Sequence, residues 1–284
     1  MKPNRLLEKM YFDIIKSSYL QNEDLNKKMH YEGKRLLIEP IISLTPEQEK
    51  VLTKGLGQIK NPEEYKQINS STGLAVNYYK ILEKTGNLAE LRFEDQVGKP
   101  LRNGFPANLD VSYTYNDKQY YVESKFLEPY YNFYKSNESN TSSYFIRSRY
   151  KSELPYIDKW IDLFYKAEQF NIYNVAQLCR HLLAIYVRYM KAKDKTIVLE
   201  SVTWRMTSEF LNMIENEEIR DLMVIRINDL YKESRNCLEL LNDFLQNKIH
   251  CDNISFETLC YNDILEDISQ SDKLNEFKLR YFLE

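Results

Sequence analysis

Glycine is scarce in this chain, with seven residues in 284. Scarcity of the residue that makes sharp turns cheap points to few tight loops and much helix. No Pro/Gly-rich linker, internal repeat or low-complexity tract interrupts the sequence, so it reads as one substantial core, or one core with an appended lobe. Histidine occurs only as His30, His181 and His250, which argues against a His-rich zinc site. Cys179, Cys237, Cys251 and Cys260 show no Cys-x-x-Cys spacing and read as buried thiols in a reducing cytosol. No run of eighteen or more apolar residues exists, which excludes a membrane-spanning helix. The stretch 1–9 is charged and lacks the apolar segment of a signal peptide. A cytoplasmic protein is expected.

Positive charge is not in excess either. The formal net charge is −3, at first sight an argument against a nucleic-acid partner. Its distribution softens the objection, because residues 99–151 carry +3 and the remainder −6. Apolar residues make up 43% and charged residues 29%, the balance of a globular domain.

Periodicity places the elements. Leu6, Met10, Ile14 and Ile15 form an amphipathic stripe, and the first sixty residues read as helices. Thr45 followed by Pro46 marks a second helix start. A helix from Ser71 to Lys84, capped by Ser70 or Ser71, has Leu74, Tyr78, Ile81 and Leu82 as its apolar face. A short strand follows at 91–94. Residues 129–152 form a Tyr-, Asn- and Ser-rich connection suited to covering a site. Helices are expected at 153–168 and 173–192, a buried strand at 196–204, and a long helix to about 246. A further strand at 253–259 precedes a short helix.

The stretch 107–126 carries the chemistry. Two alternating runs meet at Asn116-Asp117, a hairpin signature. With a two-residue turn, Tyr115 pairs with Lys118 and Asp110 falls opposite Glu123. One face holds Asp110, Ser112, Thr114, Gln119, Tyr121, Glu123 and Lys125. The other, with Val111, Tyr113, Tyr115, Tyr120, Val122 and Phe126, is the expected core face. Like charges directly opposite destabilise a sheet, their Cβ atoms only about 5 Å apart. A divalent cation between them turns the liability into a site, because Mg²⁺ prefers carboxylate oxygens and retained waters. Lys125 projects from the same face and could orient or deprotonate a water there, or neutralise phosphate charge. An odd-length loop or a bulge would break the alignment and leave a solvated strand face.

An Asp followed after a short spacer by Glu-x-Lys, here Asp110 and Glu123-Ser124-Lys125, resembles the PD-(D/E)XK nuclease superfamily. The usual Pro before the Asp is replaced by Leu109, with Pro106 three residues before that. The resemblance implies an α/β, restriction-endonuclease-like core of order αβββαβ, a mixed sheet flanked by helices, over residues 70–204. Additional helices lie on both sides: residues 1–69 would be a helical extension, and 70–284 the nuclease-like domain with C-terminal helical additions. It implies a bacterial endonuclease cleaving nucleic acid, DNA in the first instance, with Mg²⁺ as cofactor and Mn²⁺ as a substitute. Asp110 and Glu123 would bind metal, with Ser124 contributing its carbonyl, and Lys125 would act on the attacking water. A homodimer is compatible with this reading.

Further residues follow from position. Gln177 and His181 are four apart on one helix face. Superfamily members that this chain resembles place a Gln on the helix after the catalytic hairpin, so Gln177 is expected at the active site. Arg180 on the adjacent face could reach phosphate. Asn77 sits at the edge of the first core helix's apolar stripe, whereas Glu83 points away from it. Arg147, Arg149 and Lys151, interleaved with Tyr150, are candidates for phosphate contact, and the abundant tyrosines could stack on bases. The alternatives are a nuclease-fold module that binds nucleic acid or protein without cleaving, and a helical interaction protein in which the hairpin is incidental.

Overall fold

The computed structural model describes residues 3–32, 35–53, 63–86, 88–131, 142–192, 194–265 and 271–282. In the N-terminal part, α1 (Pro3–Gln21) buries Tyr11, Ile14, Ile15 and Tyr19. Helix α2 (Glu23–Lys28) is capped by the Asn22 side chain. Two short strands follow, β1 (Met29–Glu32) and β2 (Arg35–Ile38), paired antiparallel. They correct the expectation of helix throughout the first sixty residues. Leu36, Leu37 and Ile38 are consecutive buried residues, a short apolar run that fits a buried strand or a buried helix alike. Helix α3 (Pro46–Thr53) starts where Thr45 and Pro46 indicate. Thr45 Oγ1 accepts from the Gln48 amide at 3.3 Å and Gln48 Oε1 from the Thr45 amide at 3.1 Å, a reciprocal capping box.

Helix α4 (Ser71–Lys84) opens with Ser70 Oγ accepting from Gly73 N at 3.1 Å. Gly73 is required there, since a Cβ would stand 2.5 Å from the Tyr65 carbonyl oxygen. Strands β3 (Ala89–Val97), β4 (Ala107–Tyr115) and β5 (Lys118–Lys125) form an antiparallel meander. Asn116 and Asp117 have φ of 48° and 61°, the left-handed pair of a two-residue hairpin turn, and Tyr115 pairs with Lys118. After α5 (Glu128–Tyr131), α6 (Ile157–Ala167) and α7 (Val175–Tyr189), strand β6 (Thr196–Thr203) joins β5 in parallel. The chain continues through α8 (Ser208–Asn212) and the long α9 (Glu217–Asp243) to β7 (Ile254–Cys260), parallel to β6. It ends with α10 (Tyr261–Ile264) and α11 (Asp272–Tyr281).

The five-stranded sheet has the order β3-β4-β5-β6-β7. The run α4-β3-β4-β5-α7-β6 is an αβββαβ core, with α5 and α6 inserted before α7. Helix α4 covers one face, where Tyr79 packs on Tyr113. Helix α7 covers the other, where the Tyr121 and Tyr189 hydroxyls are 2.6 Å apart. Both faces are therefore buried, and the expected division into one core and one polar face does not hold along the whole hairpin. Ser112 and Tyr121 lie on the carboxylate face yet are almost inaccessible. One apolar core runs from Tyr11 through Trp204 to Phe282. Among the described residues, no helix is long and apolar enough to cross a membrane. The central part of the 129–152 connection lies outside the described residues.

Candidate active site

The β4–β5 ladder pairs Val111 with Val122, and one further step sets Asp110 across from Glu123. Here the strands end in a cleft of about 1120 Å³, whose walls include Glu94, Asp110, Glu123, Lys125, Gln177 and His181. The Ser124 amide donates to Asp110 Oδ2 at 2.7 Å, tying the carboxylate to the backbone between Glu123 and Lys125. Ser124 Oγ and the Tyr261 hydroxyl are 2.9 Å apart on the far side.

Glu123 is buried and is the hub of the site. Lys125 Nζ donates to its Oε1 at 2.5 Å, and Gln177 Nε2 donates to the same oxygen at 2.6 Å. His181 Nε2 stands 2.9 Å from Oε2. The capping residue of α7 aims the glutamine. Asn174 Oδ1 accepts from the Gln177 amide at 3.2 Å, while its Nδ2 donates to Gln177 Oε1 at 2.9 Å, which leaves Nε2 for Glu123.

A third carboxylate stands beside these two. Phe93 pairs with Val111 and Asp95 with Leu109, so Glu94 lies across from Asp110. It has a left-handed φ of 51°, a conformation that costs about 1–3 kcal/mol for a non-glycine residue. Asn108 Nδ2 donates to its Oε2. Sequence reasoning missed Glu94. The one signal available was a carboxylate closing a short strand, and its proximity to Asp110 depends on a strand register and a backbone twist that pattern does not reveal.

The charges differ sharply among the three. Burial pushes the Asp110 carboxyl well above the usual range, and Glu123 and Glu94 push it further against the pull of Lys125. Burial, with Glu123 beside it, lifts Glu94 to about 7. Burial acts on Glu123 too, but Lys125 and then His181 outweigh it and hold that carboxyl at about 2. The site is thus one committed carboxylate with two neighbours that resist ionising beside it. A hard divalent cation is the partner such oxygen donors fit, because its charge offsets both the burial and the mutual repulsion that disfavour their ionised forms. Among the described residues, no three His, Cys, Asp or Glu side chains form a ready-made metal cage. The carboxylates available to a Mg²⁺ ion on this wall are Asp110 and Glu123, with Glu94 adjacent, and water would complete its shell.

The structure brings Asp110, Glu123, Ser124, Lys125, Gln177, Arg180 and His181 together on the cleft wall. Arg180 Nε and His181 Nδ1 are buried without a hydrogen-bond partner among the described residues. Asn77 is placed elsewhere. It is buried, accepts from the Ile41 amide at 2.7 Å, and donates to the Gly73 carbonyl at 2.9 Å and the Tyr281 hydroxyl at 2.8 Å. Its role in the fold is to lock α4 to α11 and to the segment before α3. Arg147 and Arg149 are exposed on a 3₁₀ turn outside the cleft, Arg147 paired with Asp158 and Arg149 donating to Ser143 Oγ at 2.8 Å. Lys151 follows on the same segment, its amide donating to the Pro100 carbonyl at 3.3 Å.

The mixed sheet, the αβββαβ order and the Asp…Glu-x-Lys hairpin define a restriction-endonuclease-like nuclease of the PD-(D/E)XK class. More particularly, the chain belongs to the family described as Restriction Endonuclease associating with ARP, whose model matches residues 7–202. That span runs from α1 into β6 and contains every cleft residue discussed above. No curated protein and no solved structure matches the chain.

Proposed function

We propose that this protein is a Mg²⁺-dependent endonuclease that cleaves DNA, with Asp110 and Glu123 as metal ligands and Lys125 as the residue acting on water. The observation that carries the reading is the convergence on Glu123 of Lys125, Gln177 and His181, 2.5–2.9 Å away, directly beside Asp110. Bound Mg²⁺, or Mn²⁺ in its place, would supply Lewis-acid neutralisation of the phosphate charge. Lys125 Nζ, anchored by Glu123, orients a water for in-line attack on phosphorus and can pass a proton to or from it. Gln177 keeps the Glu123 carboxylate at a fixed angle. Arg180 and His181 line the same cleft wall and are assigned to the phosphate oxygens, where they would stabilise developing charge. Arg147, Arg149 and Lys151 lie along the path of the neighbouring phosphates. Residues 1–69 and 70–284 would act as one compact unit, the N-terminal part bracing the cleft through Glu64, Gln67 and Asn69.

The test is direct. Purified protein is incubated with plasmid, linear duplex and single-stranded DNA in Mg²⁺, Mn²⁺ or EDTA. Metal-dependent cleavage is expected. Binding with a metal-shifted melting point and no cleavage would favour the second reading, a nuclease-fold module that binds without cutting.

A further inference from the structure

Phe105 is 91% exposed, the most exposed large apolar side chain among the described residues, and it lines the candidate active-site cleft. Its position is held rather than loose. The β3–β4 connection begins at Gly98, whose φ is 36° and where a Cβ would sit 1.8 Å from the Ala184 carbonyl oxygen on α7. It is anchored by buried Leu101, bridged to Tyr150. The Arg102 amide donates to the Arg149 carbonyl at 2.9 Å, and Arg102 Nε donates to the Tyr150 carbonyl at 3.0 Å. The connection and the 147–151 segment therefore form one rim. That rim carries Lys99, Arg102, Arg147, Arg149 and Lys151, and Phe105 lies on the same connection, lining the cleft.

An exposed ring beside a cleft and on a basic rim suits a flat apolar ligand attached to phosphates. The same cleft is lined by Gln67, Asn69 and Asn103, residues whose amide side chains can hydrogen-bond base edges. We propose that Phe105 is a stacking platform for an unpaired base, so that the substrate strand enters the cleft unstacked beside the bond to be cut. This inference rests on the nuclease reading and deepens it: the preferred substrate is single-stranded DNA, or duplex with an unpaired base at that point. Stacking accounts for affinity, and the amides for base preference.

The experiment uses the full chain, with Ca²⁺ in place of Mg²⁺, and oligonucleotides carrying 2-aminopurine in single-stranded, mismatched and fully paired form. Binding and fluorescence are read together. Wild type is expected to bind the single strand and the mismatch more tightly than the paired duplex, with a change in probe fluorescence. Phe105→Ala, at an exposed position, should keep the wild-type melting point, lose that fluorescence change and weaken single-strand binding by roughly 5- to 150-fold. Phe105→Trp should retain both. If Phe105→Ala binds and reports as wild type does, the stacking role is wrong while the nuclease reading stands. If wild type binds no DNA in any form, the nuclease reading itself fails and this inference with it.

Discussion

The Ser124 amide donates a 2.7 Å hydrogen bond to Asp110 Oδ2, so the peptide that links Glu123 to Lys125 also fixes the opposing carboxylate. The two halves of the proposed metal site are thereby held by two paired strands rather than by separate loops. Sites carried on rigid elements keep their geometry more closely than sites on loops.

The first prediction follows from that hydrogen bond. Asp110→Asn keeps the acceptor for Ser124 and removes the carboxyl whose ionisation burial, Glu123 and Glu94 oppose. Without metal the variant should melt no lower than wild type. With millimolar Mg²⁺ or Mn²⁺, wild type should rise and the variant should not. Equal shifts, read by differential scanning fluorimetry, would remove Asp110 from the metal site.

A second prediction concerns stability and pH, on the sheet face away from the cleft. Glu200 is buried on β6 next to Glu257, and the Tyr113 hydroxyl donates to its oxygens at 3.0 and 3.2 Å. Burial lifts its carboxyl to about 8, against the hydrogen bonds of Tyr113 and Tyr79. An acid whose folded pKa is raised binds more protons in the folded state. Its contribution is therefore present below the ordinary carboxylate pKa and is lost as pH climbs through 8. Chemical denaturation across pH 5 to 9 should show stability falling, by on the order of 4 kcal/mol at most from this group. Glu200→Gln should flatten that slope, and an unchanged slope would locate the titration elsewhere.

Asn77 supplies a third. Its amide makes three hydrogen bonds to the segment before α3, to α4 and to α11, none of them at the cleft. Asn77→Ala should cost about 1–3 kcal/mol of stability while leaving the metal-induced melting shift intact. A lost metal response in a folded variant would return Asn77 to the site.

The sequence made the hairpin legible because its information is local. Asn116-Asp117 prescribes the turn, the turn sets the register, and the register sets Asp110 against Glu123. Gln177 and His181 were legible for a similar reason, being one helical turn apart. Glu94 was not, because its neighbour depends on a second register with a left-handed residue inside the strand. The burial of Ser112 and Tyr121 was hidden as well, since alternation cannot tell a face covered by water from one covered by a helix such as α7. The β1–β2 pair escaped because three buried apolar residues in a row carry no period.

The basic rim gives a fourth prediction. Replacing Arg147, Arg149 and Lys151 together by alanine should weaken DNA binding for every sequence and shallow the dependence of log affinity on log salt by up to roughly three units. Titrations at several salt concentrations measure it. An unchanged slope would take this segment off the phosphate path.

The central claim is that Lys125 acts on water while Asp110 and Glu123 hold the metal, and plasmid cleavage by Lys125 variants tests it most directly. Lys125→Arg keeps the charge but replaces a compact donor with a planar fork, and cleavage should fall strongly. Lys125→Ala should fall at least as far, on the order of 10²-fold or more. Both should still bind DNA and still show the Mg²⁺-dependent rise in melting temperature, since lysine is not a ligand. Metal bound, DNA bound and the bond uncut is the predicted result. Near wild-type cleavage by Lys125→Ala would contradict it and leave Glu123-Ser124-Lys125 as an ordinary charged strand end.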